Sequence, residues 1–206
     1  MVWKASCRSR RPVLPVAVSV SVIITTMSAC AGEGVKPVNT MSPREGRDQV
    51  VELVVETSRR LNIEGWWPRN GVAAPDVCSL DGRGQGASYS YEHWAPQGTE
   101  FDEDARKVAA YWQSLGMSVR VTDSTSRPTV YAEGGSVLRA SFMTSTTDNS
   151  YRIGAVARCA PGDAARLLDE DNTQREAGVL LPGDEGVVEK PSARRKIMPT
   201  PQATPE

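Results

Sequence analysis

Residues 117–122 read Met-Ser-Val-Arg-Val-Thr and open a stretch in which apolar side chains recur at every second position. Turn residues at Asp123–Pro128, Gly134-Gly135 and Thr147–Ser150 divide this stretch into segments. A two-residue period bounded by such turns is typical of strands that pair as hairpins. We therefore predict an antiparallel meander with strands at 117–122, Thr129–Glu133, Val137–Thr144 and Tyr151–Arg158.

Two amphipathic helices precede the meander. Ser42 and Glu45 have the spacing of a capping box, and apolar residues follow at helical intervals, so we expect a helix over Pro43–Leu61. A second helix follows Thr99, and Gly116 is placed to cap its C-terminus. Its predicted apolar face consists of Phe101, Ala105, Val108, Ala109, Trp112 and Leu115.

A further strand lies between the two helices, because residues 89–94 alternate as Tyr-Ser-Tyr-Glu-His-Trp. The turn-rich residues 62–87 before it are expected to be mostly irregular. The predicted fold class is α+β, with two helices packed on one face of a mostly antiparallel sheet as a two-layer sandwich. We assign this domain to residues 42–172, in which 163–170 forms a helical turn or a short helix. The proline-rich residues 173–206 are predicted to be a disordered tail.

The N-terminus has the composition of a secretory signal. Lys4, Arg8, Arg10 and Arg11 precede an apolar run over Val13–Met27, and small residues follow that run. This order of charged, apolar and small segments defines a signal peptide. The apolar run is shorter than the roughly 20 residues that a membrane-spanning helix needs, so we do not expect a permanent transmembrane anchor.

Cys30 stands directly behind Ser28-Ala29, and this order of apolar, small, small and cysteine resembles the lipobox of bacterial lipoproteins. The resemblance implies that residues 1–29 are a signal peptide and that the Cys30 thiol is acylated. Residues 30–41 are then the lipidated cysteine and a linker, and two acyl chains would hold the protein on the extracytoplasmic face of the cell membrane. The alternative is that Cys30 lies by chance near an ordinary signal cleavage site.

The remaining cysteines agree with export. Once Cys7 leaves with the signal peptide and Cys30 carries lipid, Cys78 and Cys159 remain as an even pair. In an oxidising compartment we expect one disulfide between them, and the alternative is two buried thiols. These two distant cysteines and His93, the lone histidine, are too few to form a metal site, and we expect no cofactor.

The net charge argues against some partners. Four of the 24 basic residues lie in the signal peptide, so the 177-residue mature chain has 20 basic and 25 acidic residues, a net charge of −5. Affinity for nucleic acid depends on Lys and Arg side chains that neutralise phosphates, so nucleic acid is not expected as a partner. The same balance argues against anionic lipid as a partner of the folded domain, which leaves the lipid anchor as the attachment to the membrane.

Three tryptophans are the candidate ligand-binding residues. Trp66 and Trp67 are adjacent and precede Pro68-Arg69, and they could form a stacking platform for a sugar or a peptide. Trp94 lies at the end of the predicted strand. The structural alternative is that the adjacent tryptophans close an open edge of the sheet.

Other patterns are weaker functional signals. His93 lies within a strand, and no serine or cysteine has the setting of a nucleophile, so a half-buried strand residue is favoured over a catalytic base. The acidic cluster of Glu100, Asp102, Glu103 and Asp104 lacks the glycine and the distal glutamate of a calcium loop, and it is interpreted as a solvated first turn of the helix. Gly82, Gly84 and Gly86 open a strand, whereas phosphate-binding glycine loops open a helix.

The chain as a whole resembles small actinobacterial lipoproteins of unassigned activity. The features that carry this resemblance are the lipobox, the short linker, one α+β domain, the two cysteines of the domain and the Pro-rich tail. It implies a cell-envelope location and a binding or accessory role toward an envelope protein or a small ligand, so we predict a non-enzymatic lipoprotein. One alternative is a lipid-anchored hydrolase that uses His93. Another is a substrate-binding component of a transporter, which usually needs two lobes and a longer chain.

Overall fold

Six strands and three helices make up the part of the chain that the structure describes, and the predicted α+β class is confirmed. The structure is a computed structural model that describes residues 41–80, 84–122, 126–146 and 148–187. The helices are α1 (Pro43–Arg59), α2 (Phe101–Ser114) and α3 (Ala164–Glu176). The strands are β1 (Ala74–Leu80), β2 (Gly84–Pro96), β3 (Met117–Val121), β4 (Thr129–Gly134), β5 (Arg139–Met143) and β6 (Ser150–Val156).

The strands form one sheet in the order β1-β2-β6-β5-β4-β3, and every neighbouring pair is antiparallel. The predicted meander is confirmed as β3 to β6, and β2 pairs with its last strand so that His93 lies opposite Ile153. The strand that the sequence patterns miss is β1, because residues 62–87 are dominated by turn signals. Pro75 is tolerated in β1 since an edge strand leaves one row of backbone groups unpaired.

All three helices cover the same face of the sheet. At Tyr89 of β2, the Arg47 guanidinium of α1 lies 5.8 Å from the ring centroid, and Asp171 of α3 accepts a hydrogen bond from the hydroxyl at 2.7 Å. Tyr151 of β6, on the same face, donates a hydrogen bond to Asp104 of α2 at 3.0 Å. The core lies between this face and the helices. Its largest fully buried side chains are Trp112, Tyr89, Tyr151, Phe142 and Ile153.

The capping box predicted at the start of α1 is confirmed. The Ser42 hydroxyl accepts a hydrogen bond from the Glu45 N–H, and the Glu45 carboxylate accepts one from the Ser42 N–H at 2.7 Å. The helix ends at Arg59, two residues before its predicted end. Inside the core, the Trp112 indole N–H of α2 donates to the Thr57 hydroxyl at 2.9 Å, and this bond ties α2 to α1.

A third helix occupies the region where the sequence predicts a helical turn or a short helix. Asp163 caps the N-terminus of α3, and the helix continues to Glu176. Its apolar contact is small, because Ala164 and Leu167 are its two buried apolar residues. The predicted number of helices is therefore corrected from two to three. Weak apolar periodicity explains the error, since an amphipathic face is the main sequence signal for a surface helix.

The C-terminal segment, residues 177–187, packs on the domain. Leu181 and Asp184 are buried, and the Arg175 Nε of α3 donates to both carboxylate oxygens of Asp184 at 3.1 Å. Gly183 has a φ of +88°, and a Cβ at this position would lie 3.1 Å from side chains of the core. Only glycine fits both conditions without strain.

This segment corrects the predicted domain boundary. The composition of residues 173–206 predicts disorder, but α3 continues to Glu176 and the C-terminal segment then contacts the core. The prediction is therefore wrong as far as Val187. Residues 188–206 lie outside the described residues, as do 1–40 with the predicted signal peptide and lipidated Cys30.

A disulfide joins Cys78 of β1 to Cys159, and the predicted pairing is confirmed. The two Cα atoms are 5.8 Å apart, within the usual range for a disulfide. The bridge spans 81 positions of sequence. The chain-entropy model assigns about 4 to 5 kcal/mol to a loop of this length. The bond fastens an edge strand in which only Pro75 is buried.

We predict that Asp184→Asn destabilises the domain by about 3 kcal/mol or more, because it leaves the Arg175 guanidinium buried without its counter-charge. The side-chain exposure is 0% for Asp184 and 10% for Arg175. Urea unfolding followed by tryptophan fluorescence measures the change. The matched control is Asp169→Asn on the exposed side of α3, which we expect to stay within about 0.5 kcal/mol of wild type. Equal unfolding midpoints for the two variants would contradict the prediction.

Candidate functional site

A groove of about 720 Å³ opens between α1, the loop before β1 and the C-terminal segment, and we refer to it as the α1 groove. Tyr91 and His93 of β2 form its floor. Three segments form its walls. The wall residues are Asp48, Val51, Glu52, Val55, Glu56 and Arg59 from α1, Trp66, Trp67 and Pro68 from the loop, and Pro182, Glu185 and Gly186 from the C-terminal segment.

Backbone pairing fixes the loop wall. Trp67 and Trp94 exchange two N–H to carbonyl hydrogen bonds of 2.8 Å, beyond the end of β1. The loop therefore continues the pairing along the edge of β2 that β1 leaves free. Arg69 adds to this attachment, because it stacks over the Trp94 ring at 4.6 Å and forms an ion pair with Asp148. The Trp67 side chain is 40% exposed and lies on the same face of the sheet as Trp94, because directly paired residues of antiparallel strands share a face.

Core packing fixes the other two walls. On α1, Val50 and Val54 are fully buried, and Val51 and Val55, each one position further along the helix, line the groove. The C-terminal segment is held by its buried ion pair with α3, and it presents Glu185 at the groove. Both walls are therefore anchored by residues that face the core.

The floor of the α1 groove is a tyrosine and histidine pair. Tyr91 Oη and His93 Nε2 share a hydrogen bond of 2.9 Å, and their ring centroids are 5.1 Å apart. Burial raises the pKa of Tyr91 to about 12, with a further contribution from the Glu185 and Asp184 carboxylates. Burial lowers the pKa of His93, although the Glu185 carboxylate opposes this shift. Both rings are therefore neutral at neutral pH.

This geometry offers no pair of base and nucleophile. His93 Nε2 is bonded to Tyr91, and Nδ1 is buried without a hydrogen-bond partner in the described ranges. Among the residues that the structure describes, no serine, threonine or cysteine bonds to His93 and no carboxylate orients its ring. A catalytic histidine of the triad type needs both contacts. The hydrolase alternative gains no support from the groove.

Acidic residues border the groove. Asp48, Glu52 and Glu56 are spaced four residues apart on α1, so they lie along one side of the helix. Glu185 adds a carboxylate from the C-terminal segment. Among the described lining residues Arg59 is the one with a basic side chain, and it forms an ion pair with Glu56. The border of the groove is therefore predominantly negative.

The structure brings two of the three candidate tryptophans together. Trp66 and Trp67 line the α1 groove beside His93. Trp94 lies on the opposite face of the sheet, where the Arg152 guanidinium is 5.7 Å from its ring centroid. Trp67 closes the sheet edge, and its pairing with Trp94 places its side chain on the face that Trp94 occupies, so Trp66 is the tryptophan whose side chain lies on the groove side. A ligand-binding role for the tryptophans stays a prediction.

The sequence patterns miss the site residues that α1 and the C-terminal segment contribute. They place Glu52 and Val55 simply on a helix, and Pro182 and Glu185 in a disordered tail. Two signals point to these residues. The first is the four-residue spacing of acidic side chains on α1. The second is the apolar pair Leu180-Leu181 directly before a Pro-Gly-Asp turn, which indicates a packed turn.

Comparison with known proteins gives a distant structural likeness. No protein-family model matches this chain, and no curated protein matches it. The solved structure of a DUF4853 family protein from Actinomyces odontolyticus ATCC 17982 is similar to this chain, with 17% identity and a TM-score of 0.42. The match covers 61% of this chain and 72% of that chain. A likeness at this level assigns neither a family nor a function.

None of the helices in the described ranges combines the length and the apolar character needed to cross a bilayer. The same ranges contain no group of three or more histidine, cysteine, aspartate or glutamate side chains placed to hold a metal ion.

We predict that His93 makes the stability of the domain depend on pH between about pH 7 and 5. Because the pKa of His93 is lowered in the folded protein, the unfolded chain, with a usual value of about 6.5, binds the proton more readily. Stability therefore falls as the pH decreases through 6.5 toward the folded-state pKa. His93→Gln removes this dependence. Urea unfolding midpoints of the wild type and the His93→Gln variant, measured across this pH range, test the prediction. If the midpoints of the two proteins change equally with pH, the prediction is wrong.

Proposed function

We propose that this chain is a lipid-anchored lipoprotein of the cell envelope, held through Cys30 on the extracytoplasmic face of the membrane. The support is the order of basic, apolar and small residues that ends at Cys30. The disulfide between Cys78 and Cys159 agrees with an oxidising compartment. The first helix begins at Pro43, directly after the stretch over residues 30–41 that the sequence predicts as the linker between lipid and domain.

The domain acts as a non-enzymatic binding module, and the single observation that carries this proposal is the α1 groove. Its volume of about 720 Å³ lies within the range of small-molecule sites. Aromatic and apolar side chains line it together with a few polar groups, which is the usual composition of such sites. The ligand is therefore a small molecule with an apolar or aromatic part, presented to the domain outside the membrane.

Trp66 supplies the main ligand contact. Its side chain packs partly against the core that includes Tyr91, while hydrogen bonds of 2.8 Å between Trp67 and Trp94 hold the backbone of the loop. A large aromatic side chain that is already held in place loses little conformational entropy when it contacts a ligand. Tyr91 and His93 beside it add two neutral rings to the contact surface.

We predict that Cys30→Ala releases the protein from the membrane fraction or leaves its signal peptide uncleaved, because a pair of acyl chains is the stable attachment in this proposal. Metabolic labelling with a fatty acid and fractionation of cells measure this change. Cys78→Ala is the matched control, because it removes a cysteine of the folded domain and should keep the label. Fatty acid still incorporated into the Cys30→Ala variant would contradict the anchor.

We predict that Trp66→Ala weakens binding of the neutral apolar dye N-phenyl-1-naphthylamine about tenfold, as expected when one aromatic contact is lost. Dye fluorescence titrated with the purified full-length protein measures the affinity. Tyr131→Ala is the matched control, because Tyr131 is an exposed aromatic residue of β4 on the opposite face of the sheet. Unchanged dye affinity in the Trp66→Ala variant would argue against the groove as the ligand site.

A further inference from the structure

Unpaired carboxylates stand on two walls of the α1 groove. On α1, Glu52 is exposed and has no ion pair among the described residues. On the C-terminal segment, Glu185 is exposed, and its carboxylate accepts a hydrogen bond from the Gly183 N–H at 3.1 Å. Neither carboxylate has a cationic partner in the described part of the chain. The groove is therefore bordered by negative charge from both sides.

The other charges of the lining are already paired. Arg59 forms an ion pair with Glu56. The Asp48 carboxylate lies 3.0 Å from the Nε of Arg47, whose side chain is not part of the lining. The described lining residues therefore include no unpaired basic side chain that could receive an anion.

Aromatic surface lies between these two walls. Trp66 and Tyr91 line the groove, and the face of an aromatic ring attracts a cation within about 6 Å of its centroid. His93 does not oppose this attraction, because burial keeps its ring neutral at neutral pH. Ring faces and carboxylates act in the same direction here, since both favour positive charge.

We propose that the α1 groove binds an organic cation, an ammonium or guanidinium group carried on an apolar body. This inference rests on the proposed function, because it takes the groove as the ligand site. The charged group lies between Glu52 and Glu185, and the apolar body lies against Trp66. An anion of the same shape is rejected, since it meets two carboxylates and no basic partner. A neutral molecule of the same shape keeps the apolar contact and loses the ionic attraction.

The test uses two probes of the same shape that differ in charge, N-acetyl-arginine amide and N-acetyl-citrulline amide. Calorimetry with the purified full-length protein measures both dissociation constants at low and high salt. We expect the arginine probe to bind about tenfold more tightly than the citrulline probe at low salt. We expect salt to reduce this preference, because the carboxylates at the groove border are exposed and therefore screened.

Single substitutions locate the effect. We expect Glu52→Gln and Glu185→Gln each to reduce the preference for the arginine probe by about two- to fivefold. Neither variant should change the affinity for the citrulline probe. The matched control is Glu133→Gln, an exposed carboxylate of β4 on the opposite face of the sheet, which should leave the preference unchanged. All three substitutions change the net charge equally, so the variants differ only in whether the substituted residue lies at the groove.

The outcomes distinguish this inference from the proposed function. Equal affinities for the two probes, or no binding of either, would overturn the cation assignment. In both cases, binding of N-phenyl-1-naphthylamine that depends on Trp66 would still support the groove as a ligand site. Loss of dye binding together with probe binding would remove the proposed function as well. An effect of Glu133→Gln as large as that of Glu52→Gln would also overturn the assignment, because the preference would then follow net charge and not the groove.

Discussion

Asp171 is the buried carboxylate on which the arrangement of α1 and α3 depends. Its side chain is fully buried, and it accepts hydrogen bonds from the Tyr89 hydroxyl at 2.7 Å and from the Arg44 guanidinium at 2.9 Å. A charge in the core is tolerated only where hydrogen bonds and counter-charge replace water. Burial, reinforced by the bond to Asp171, raises the pKa of Tyr89 and keeps its hydroxyl as the donor. One side chain of α3 thus joins β2 and α1.

The effect of this cluster extends to the α1 groove. One turn after Asp171 on α3, Arg175 donates to Asp184 at 3.1 Å and to the Ala73 carbonyl at 3.3 Å. These bonds hold the C-terminal segment on the core, and that segment forms one wall of the groove. Arg44 ties the first turn of α1 to the same cluster, and α1 forms another wall. The position of both walls therefore follows from buried polar contacts.

The same long-range contacts explain which elements the sequence analysis predicts and which it misses. The strands β3 to β6 pair with their neighbours in sequence, so alternation and turn residues are enough to predict them. β1 depends on pairing with β2 and on the Cys78 disulfide, and its local composition resembles a loop. α3 depends on Asp171, whose partner Arg44 is 127 positions away. Apolar periodicity contains no information on polar contacts between residues that are so far apart in sequence. Elements that depend on such contacts are therefore not predicted from sequence.

The candidate site shows this limit more strongly than the fold does. Residue type is enough to select Trp66 and Trp67, and strand alternation alone predicts that His93 and Trp94 point to opposite faces. Local patterns do not predict that these residues line one groove, because the walls of the α1 groove come from three separate segments and none of these segments carries a motif. Glu185 enters the groove because its neighbour Asp184 is drawn into the core by its partner on α3. The carboxylate that the C-terminal segment adds to the border of the groove is therefore a consequence of the buried ion pair that orders this segment.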